Sequence, residues 1–395
     1  MEQRRKSWTM NVIFVAVAVA ATLWMARGCQ QPPVAMGQWY TVGQDNFALV
    51  IKWTGKTLML ELQQPTLDPV VLLKGDRDMR PGVLAGDGSP LVATFRLDEN
   101  RRPVDVDVRT VDGDPYESFE ADDVTALLAV TGEDILAARV FDPETRTLSE
   151  LVVLDPEGKV RREIDTPAFR HAWVNPAGDT LLLVGCKDEV SQVLDYTTGT
   201  LRHELKFPAV LPSPDGTVYV AGKPDDKTIT VFKGEEQLGS FVLEHGPLGS
   251  SGGLRFSPDS AWFVVVDGQT IRLFRVAPYG QVATMQVPEG QIVRQNGVQV
   301  LPGGKTVMLN AEGGNPGAPV TLGVYTPEGK PVWQKSWSGP PEGILPGVFM
   351  GPSADGSGIL LYLHQDILLP DTKTGKTIEQ PTPRNTDTTK DDQAG

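Results

Sequence analysis

The chain is written in a unit that recurs about every 45 residues. Residues 256–274 show it in full as FSPDSAWFVVVDGQTIRLF: a polar turn, a β-rich run, a second turn at DGQ and another β run. The same order returns in VTGEDILAA, NPAGDTLLLV, SPDGTVYVA, LPGGKTVML and SADGSGILLYL, and more loosely in VGQDNFALVI and GDGSPLVATF. The turn residues that precede these runs are Gly43, Gly88, Glu133, Gly178, Gly216, Ser260, Gly304 and Gly356, spaced 45, 45, 45, 38, 44, 44 and 52 residues apart. Four short strands and three turns fit that length.

The second half of each unit agrees. Runs such as SQVLD, TITVF, TIRLF and TLGVY lead into TTGT (197–200), KGEE (233–236), PYGQ (278–281) and PEGK (327–330), with PEGK also at 156–159 and KTGK at 373–376. Glycine supplies the positive φ that tight hairpin turns demand. No stretch of the body carries a 3.6-residue apolar stripe longer than about two turns, so the body is expected to be all-β. Repeats of this length close into a ring of four-stranded blades.

SPDGTVYVAGKPDDKTITVF (213–232) and FSPDSAWFVVVDGQTIRLF resemble the WD-repeat and YVTN-type bacterial β-propellers, in which an SPDG turn precedes the second strand and a D-x-T-I-x-hydrophobic run forms the third. Phe232-Lys233 and Phe274-Arg275 stand where WD repeats carry Trp-Asp, while Leu154-Asp155 and Leu194-Asp195, each before a Gly turn, are similar to the quinoprotein-type variant. The resemblance implies a fold and leaves the activity open. The expectation is an all-β β-propeller of four-stranded blades, eight favoured and seven as the alternative, after one N-terminal membrane-targeting helix. Its boundaries are read as 1–28 leader, 29–36 spacer, 37–380 propeller and 381–395 disordered polar tail.

The leader sets the compartment. Arg4, Arg5 and Lys6 precede an almost unbroken apolar run from Val12 to Ala26. Residues 1–28 are net +3, leaving −17 on the remainder of a chain whose total is −14. Fifteen helical residues span roughly 22 Å against a bilayer core of about 30 Å, so the run is a signal-peptide core or a short signal anchor. Either way the basic cluster stays cytoplasmic and the acidic body is exported. Ala26 and Gly28 are small at the −3 and −1 positions before Cys29. ARGC resembles a bacterial lipobox, with Ala26 in place of the usual leucine and Arg27 in place of a small residue. Cys29 is therefore the candidate lipidation site, with an uncleaved anchor and a secreted chain as alternatives. The other cysteine, Cys186, ends the apolar run LLLVGC and reads as a buried small hydrophobe.

The acidic body excludes general nucleic-acid binding, which needs a basic surface. Residues 249–253 spell G-x-S-x-G, but a strand-and-turn pattern follows where a nucleophile elbow needs a helix. His171, His203, His245 and His364 show no HxH or HExxH spacing. No vicinal cysteines are present and the eight tryptophans do not follow the repeat, which argues against a pyrroloquinoline-quinone dehydrogenase. No catalytic residue or cofactor is assigned. The reading is a non-enzymatic, membrane-tethered extracytoplasmic binding or scaffold module in a bacterial envelope, its partner a protein or a cell-envelope polymer. Segments 80–90, 244–253 and 311–319 are expected to project from its rims. The alternative is a propeller lactonase or hydrolase with a cation in the central channel, whose ligands would come from scattered blades and leave no linear motif.

Overall fold

The computed structural model describes residues 34–376, apart from 43–44, 55–56, 64–69, 77–80, 87–88, 224, 246–252, 313–318, 339–347, 353–358, 364–365 and 369. The leader, Cys29 and the tail 381–395 lie outside the described residues. Strands follow one another as antiparallel neighbours and group into eight sheets among the described residues. The first holds β1 (Val34–Val42), β2 (Asp45–Thr54), β3 (Thr57–Gln63) and β4 (Val70–Asp76), so the first strand takes in the end of the stretch read as spacer. The second holds β5 (Pro81–Ala85), β6 (Leu91–Leu97), β7 (Pro103–Thr110) and β8 (Pro115–Phe119). The third holds β9 (Ala126–Thr131), β10 (Asp134–Asp142), β11 (Thr147–Leu154) and β12 (Val160–Ile164). The fourth holds β13 (His171–Val174), β14 (Thr180–Val184), β15 (Ser191–Asp195) and β16 (Leu201–Leu205). The fifth holds β17 (Ala209–Pro212), β18 (Val218–Gly222), β19 (Thr228–Lys233) and β20 (Glu236–Val242). The sixth holds β21 (Gly253–Phe256), β22 (Trp262–Asp267), β23 (Thr270–Arg275) and β24 (Gly280–Gln286). The seventh holds β25 (Gln291–Val300), β26 (Thr306–Glu312), β27 (Val320–Tyr325) and β28 (Pro331–Trp337). The eighth holds β29 (Val348–Pro352), β30 (Ile359–Leu363) and β31 (Asp366–Leu368).

Runs such as WFVVV and TLLLV are continuously apolar because both faces of these sheets are covered. In β22, Phe263 and Val265 pack toward the fifth sheet, while Val264 and Val266 pack toward the seventh. In β14, Leu181 and Leu183 join the core shared with the third sheet; Leu182 between them joins the core shared with the fifth. Successive clusters of this kind lie between every consecutive pair of sheets from the first to the eighth. First strands lie beside first strands: β5 by β9, β9 by β13, β21 by β25 and β25 by β29. β29 in turn lies against β1, which closes the ring with the first strands around its axis. This is a β-propeller.

The turn before each second strand interlocks neighbours. Gly178, Gly216, Ser260 and Gly304 all have positive φ (68°, 70°, 56° and 79°). A Cβ on Gly216 would lie 3.0 Å from Thr180 Oγ1 of the preceding sheet. Ser260, the non-glycine of the series, accepts a hydrogen bond on its hydroxyl from the Asp215 amide of the preceding turn at 3.1 Å. In the third sheet the left-handed residue is Gly132 (φ 55°) rather than the marker Glu133, because β9 and β10 meet in a tight hairpin with Thr131 opposite Asp134.

One expectation fails. Segment 80–90 is not a projecting loop, because Pro81–Ala85 forms β5, the inner strand of the second sheet. Its glycine is there for packing: a Cβ on Gly82 would collide with the Phe95 ring. Pro81 is the strand's first residue, where the missing N–H is tolerated.

Candidate functional site

Five inner strands, β5, β9, β13, β17 and β21, wall a cavity of ≈ 500 Å³ on the inner side of the ring. Leu84, Leu128, Trp173, Leu211 and Phe256 each come from a different one of those strands. Leu211 keeps 39% of its surface exposed although it belongs to an inner strand. Among the described lining residues one side chain is charged, that of Arg255. Arg255 lies opposite Val264 in the β21–β22 register and donates through Nη1 to the Leu254 carbonyl at 2.7 Å. Burial pushes its guanidinium below its ordinary pKa, since a charge loses hydration in such surroundings.

The connection leaving β20 is rooted at the C-terminal end of β22. Asp267, at the end of β22 and fully buried, accepts the Glu244 amide at 2.7 Å and the His245 amide at 2.9 Å. The His245 ring lies 3.2 Å from the same carboxylate through Nδ1. Arg272 adds an ion pair to Asp267 at 3.2 Å and another to Glu244 at 2.9 Å, and its Nη1 donates to the Val242 carbonyl at 2.8 Å. Burial raises the Asp267 carboxyl, but the two amides, His245 and Arg272 together outweigh it and hold its pKa below 3.8. Segment 244–253, expected on a rim, thus leaves the ring from a fixed base; its residues 246–252 lie outside the described residues, as do 313–318 of the segment 311–319.

The opposite ends of the strands carry a second cavity of ≈ 310 Å³ between the fifth and sixth sheets. Asp215, Lys233, Trp262 and Arg275 line it. The Asp215 carboxylate is engaged there by Ser213 Oγ at 2.6 Å and Thr217 Oγ1 at 2.9 Å, so it serves the turn.

The remaining candidates scatter. His171 opens β13, and His203 in β16 meets the Tyr219 ring edge-on at 5.6 Å. Burial lowers the His203 pKa. His245 serves Asp267, and His364 lies outside the described residues. Among the described residues no three of the His, Cys, Asp or Glu side chains gather as metal ligands would. Cys186 is a buried free thiol pushed up to about 11 by desolvation. Of the G-x-S-x-G residues, Gly253 opens a β-strand. Asp226 in the PDD turn accepts the Thr228 amide at 2.8 Å as a turn former. Cys29 lies outside the described residues. No described helix is long and apolar enough to cross a membrane.

Asp267 and Arg255 went unmarked in the sequence. Asp267 reads there as half of an ordinary Asp-Gly turn, and its partners lie 22 and 23 residues earlier in the chain. Arg255 breaks an apolar strand, GLRF, which was the one signal available for it.

Solved structures are similar to this ring at low identity. The computationally designed Ika8 protein aligns with a TM-score of 0.50 and 12% identity, covering 87% of this chain and 96% of its own. Hsv2 of Kluyveromyces lactis, itself a β-propeller, aligns with a TM-score of 0.48 and 12% identity over 78% of this chain and 98% of its own. Kuenenia stuttgartiensis hydrazine synthase gives 0.40 and 16% identity over 61% of this chain and 74% of that one. No protein-family model matches the chain, and no curated protein matches its sequence. The likeness is one of fold.

Proposed function

We propose that this chain is a membrane-tethered, extracytoplasmic propeller of eight blades, one per sheet, acting as a non-enzymatic binding module for a protein or a cell-envelope polymer. The lining of the axial cavity carries the reading: its described walls are mainly apolar, no carboxylate lines them, the Asn175 amide oxygen is taken by the Asp179 and Thr180 amides, and the charged side chain, Arg255, is a cation. A cation-centred lactonase needs converging acidic or amide oxygens there, and a guanidinium repels a metal ion. Support for the tether comes from the basic cluster Arg4-Arg5-Lys6, the apolar run that follows it and Cys29. Residues 244–253 supply the docking rim, since Asp267 fixes their root while the strands beneath stay rigid.

The test is made on the full chain expressed in a bacterial host. Membrane-extracted protein should have the intact mass of a diacylglyceryl-modified chain beginning at Cys29, and Cys29→Ser should abolish that mass. An unmodified full-length mass replaces the lipid tether with a signal anchor; a cleaved, unlipidated chain in the medium removes the tether altogether. Binding is read separately, by retention of the purified protein on isolated cell-envelope fractions. Shortening 247–252 to two glycines should reduce retention at least about tenfold with the unfolding midpoint unchanged; equal retention would refute the rim assignment.

A further inference from the structure

We propose that the cavity between the fifth and sixth sheets binds an acidic amino acid, a small zwitterion with two carboxylates and one ammonium group. The described lining carries three charged side chains, Lys233, Arg275 and Asp215, around a space of ≈ 310 Å³, at the small end of ligand sites. Two cations and one carboxylate are the complement of such a ligand, group for group. The site lies at the strand ends opposite the 244–253 rim and stands independently of the binding role proposed above.

The repeat explains why both cations are free. Lys233 closes β19 and Arg275 closes β23, the positions at which Asp195 closes β15 and Asp155 follows β11. Those aspartates accept amides of their own turns, from Thr198 and Lys159, each at 2.9 Å. A cation cannot accept, and the turn after β19 needs no side-chain acceptor because Lys233 pairs directly with Glu236 in the hairpin register. Both cations are exposed, and among the described residues neither forms an ion pair. Arg275 Nε makes one long bond, 3.4 Å, to the Pro278 carbonyl.

Asp215 supplies the opposite charge. Burial raises its carboxyl, but Ser213 Oγ at 2.6 Å, the Thr217 amide at 3.0 Å and the Thr217 hydroxyl at 2.9 Å outweigh that and hold its pKa below 3.8. The carboxylate is therefore ionised at neutral pH and fixed in place. Trp262 is fixed too, since Gly304 packs so closely that a Cβ there would lie 2.9 Å from the ring, and it gives the cavity an apolar wall. The planar fork of Arg275 matches one ligand carboxylate, and Lys233 takes the second as a point charge. The ligand ammonium is left to Asp215. A purely anionic ligand would meet Asp215 as repulsion, and a zwitterion with one carboxylate would leave one cation unmatched.

The probes are L-glutamate, glutarate and L-glutamine; the last two keep the carbon skeleton of the first and each lacks one of its charged groups. Each is titrated calorimetrically into the full-length protein in detergent at neutral pH and low salt, with the detergent blank subtracted. L-Glutamate should bind one to one, and the other two at least about fivefold more weakly, because each leaves one charge of the site unmatched. Lys233→Gln and Arg275→Gln should each weaken glutamate by at least about the same factor and narrow its lead over glutamine. Lys159→Gln, the same change of charge on an exposed lysine of the third sheet's turn, should leave binding as it was. No saturable glutamate binding, or glutamate no tighter than glutarate and glutamine, overturns the proposal on the unaltered protein alone, whether or not the variants fold. An equal loss in Lys159→Gln overturns it as well, since net charge rather than the site would then be responsible.

Discussion

Asp267 gathers two backbone amides, the His245 ring and Arg272 on one buried carboxylate, and their consequences can be separated residue by residue. Replacing it by alanine removes the acceptor of two backbone amides and leaves Arg272, 13% exposed, with the exposed Glu244 and the Val242 carbonyl as its remaining described partners. Breaking a buried ion pair from one side typically costs about 3 kcal/mol or more. Asp267→Ala should therefore lower stability in urea by about that amount. His245→Ala should cost under about 1 kcal/mol, because the ring is 56% exposed and the His245 amide stays in place. Equal losses from the two variants would show that the ring, not the carboxylate, is the hub. The pH dependence has a definite sign. A carboxyl held below 3.8 in the folded state contributes stability that is fully present above that pH and is lost as pH falls through the folded value. Asp195, lowered to about 2 chiefly by its hydrogen bond from Arg202, adds in the same direction. Urea midpoints should hold between pH 7 and 5 and fall from pH 4 downward, less steeply in Asp267→Ala.

Strands translate into the ring through their two-sided burial. Neighbouring residues of one strand serve different inter-sheet cores, as Leu182 and Leu183 do in β14. Both are fully buried, so Leu182→Ala and Leu183→Ala should each destabilise the protein by about 2–5 kcal/mol. A sheet with one face in water would lose stability at only one of the two. Denaturant unfolding of the pair distinguishes these arrangements. The same burial explains what the sequence could reveal. Runs like WFVVV and SPDG-type turns recur because every blade needs two buried faces and a positive-φ corner, so the period, the strand order and the all-β class were legible. β5 was missed because Pro81 and Gly82 mimic a loop, while the Phe95 ring that makes glycine necessary lies 13 residues away, across the hairpin. The axial wall was invisible for a related reason. Each of the five inner strands contributes two to four residues to it, and their convergence is a property of ring closure that no linear spacing records.

For the whole molecule, closure is the feature on which both the fold and the cavity depend. The eighth sheet covers Val307, Leu309 and Leu322 of the seventh through Met350, Ile359 and Leu361, and β29 carries the ring back to β1. Ending the chain after residue 347 removes that sheet and uncovers one apolar face on the seventh. The other face of the gap belongs to the first sheet. Large uncovered apolar faces drive association, and the exposed strand edges beside them offer further pairing. The truncated chain should elute by size-exclusion chromatography as aggregate or as oligomers larger than the species formed by the full chain. Its loss of stability should also exceed that of any single core substitution, because a whole interface is removed and the inner strands lose the constraint that holds them around the axis. A truncated chain that remained monomeric with an unchanged unfolding midpoint would mean that the first seven sheets close on themselves. The β29–β1 contact would then be dispensable, and the cavity walled by β5 to β21 would owe its shape to those sheets alone.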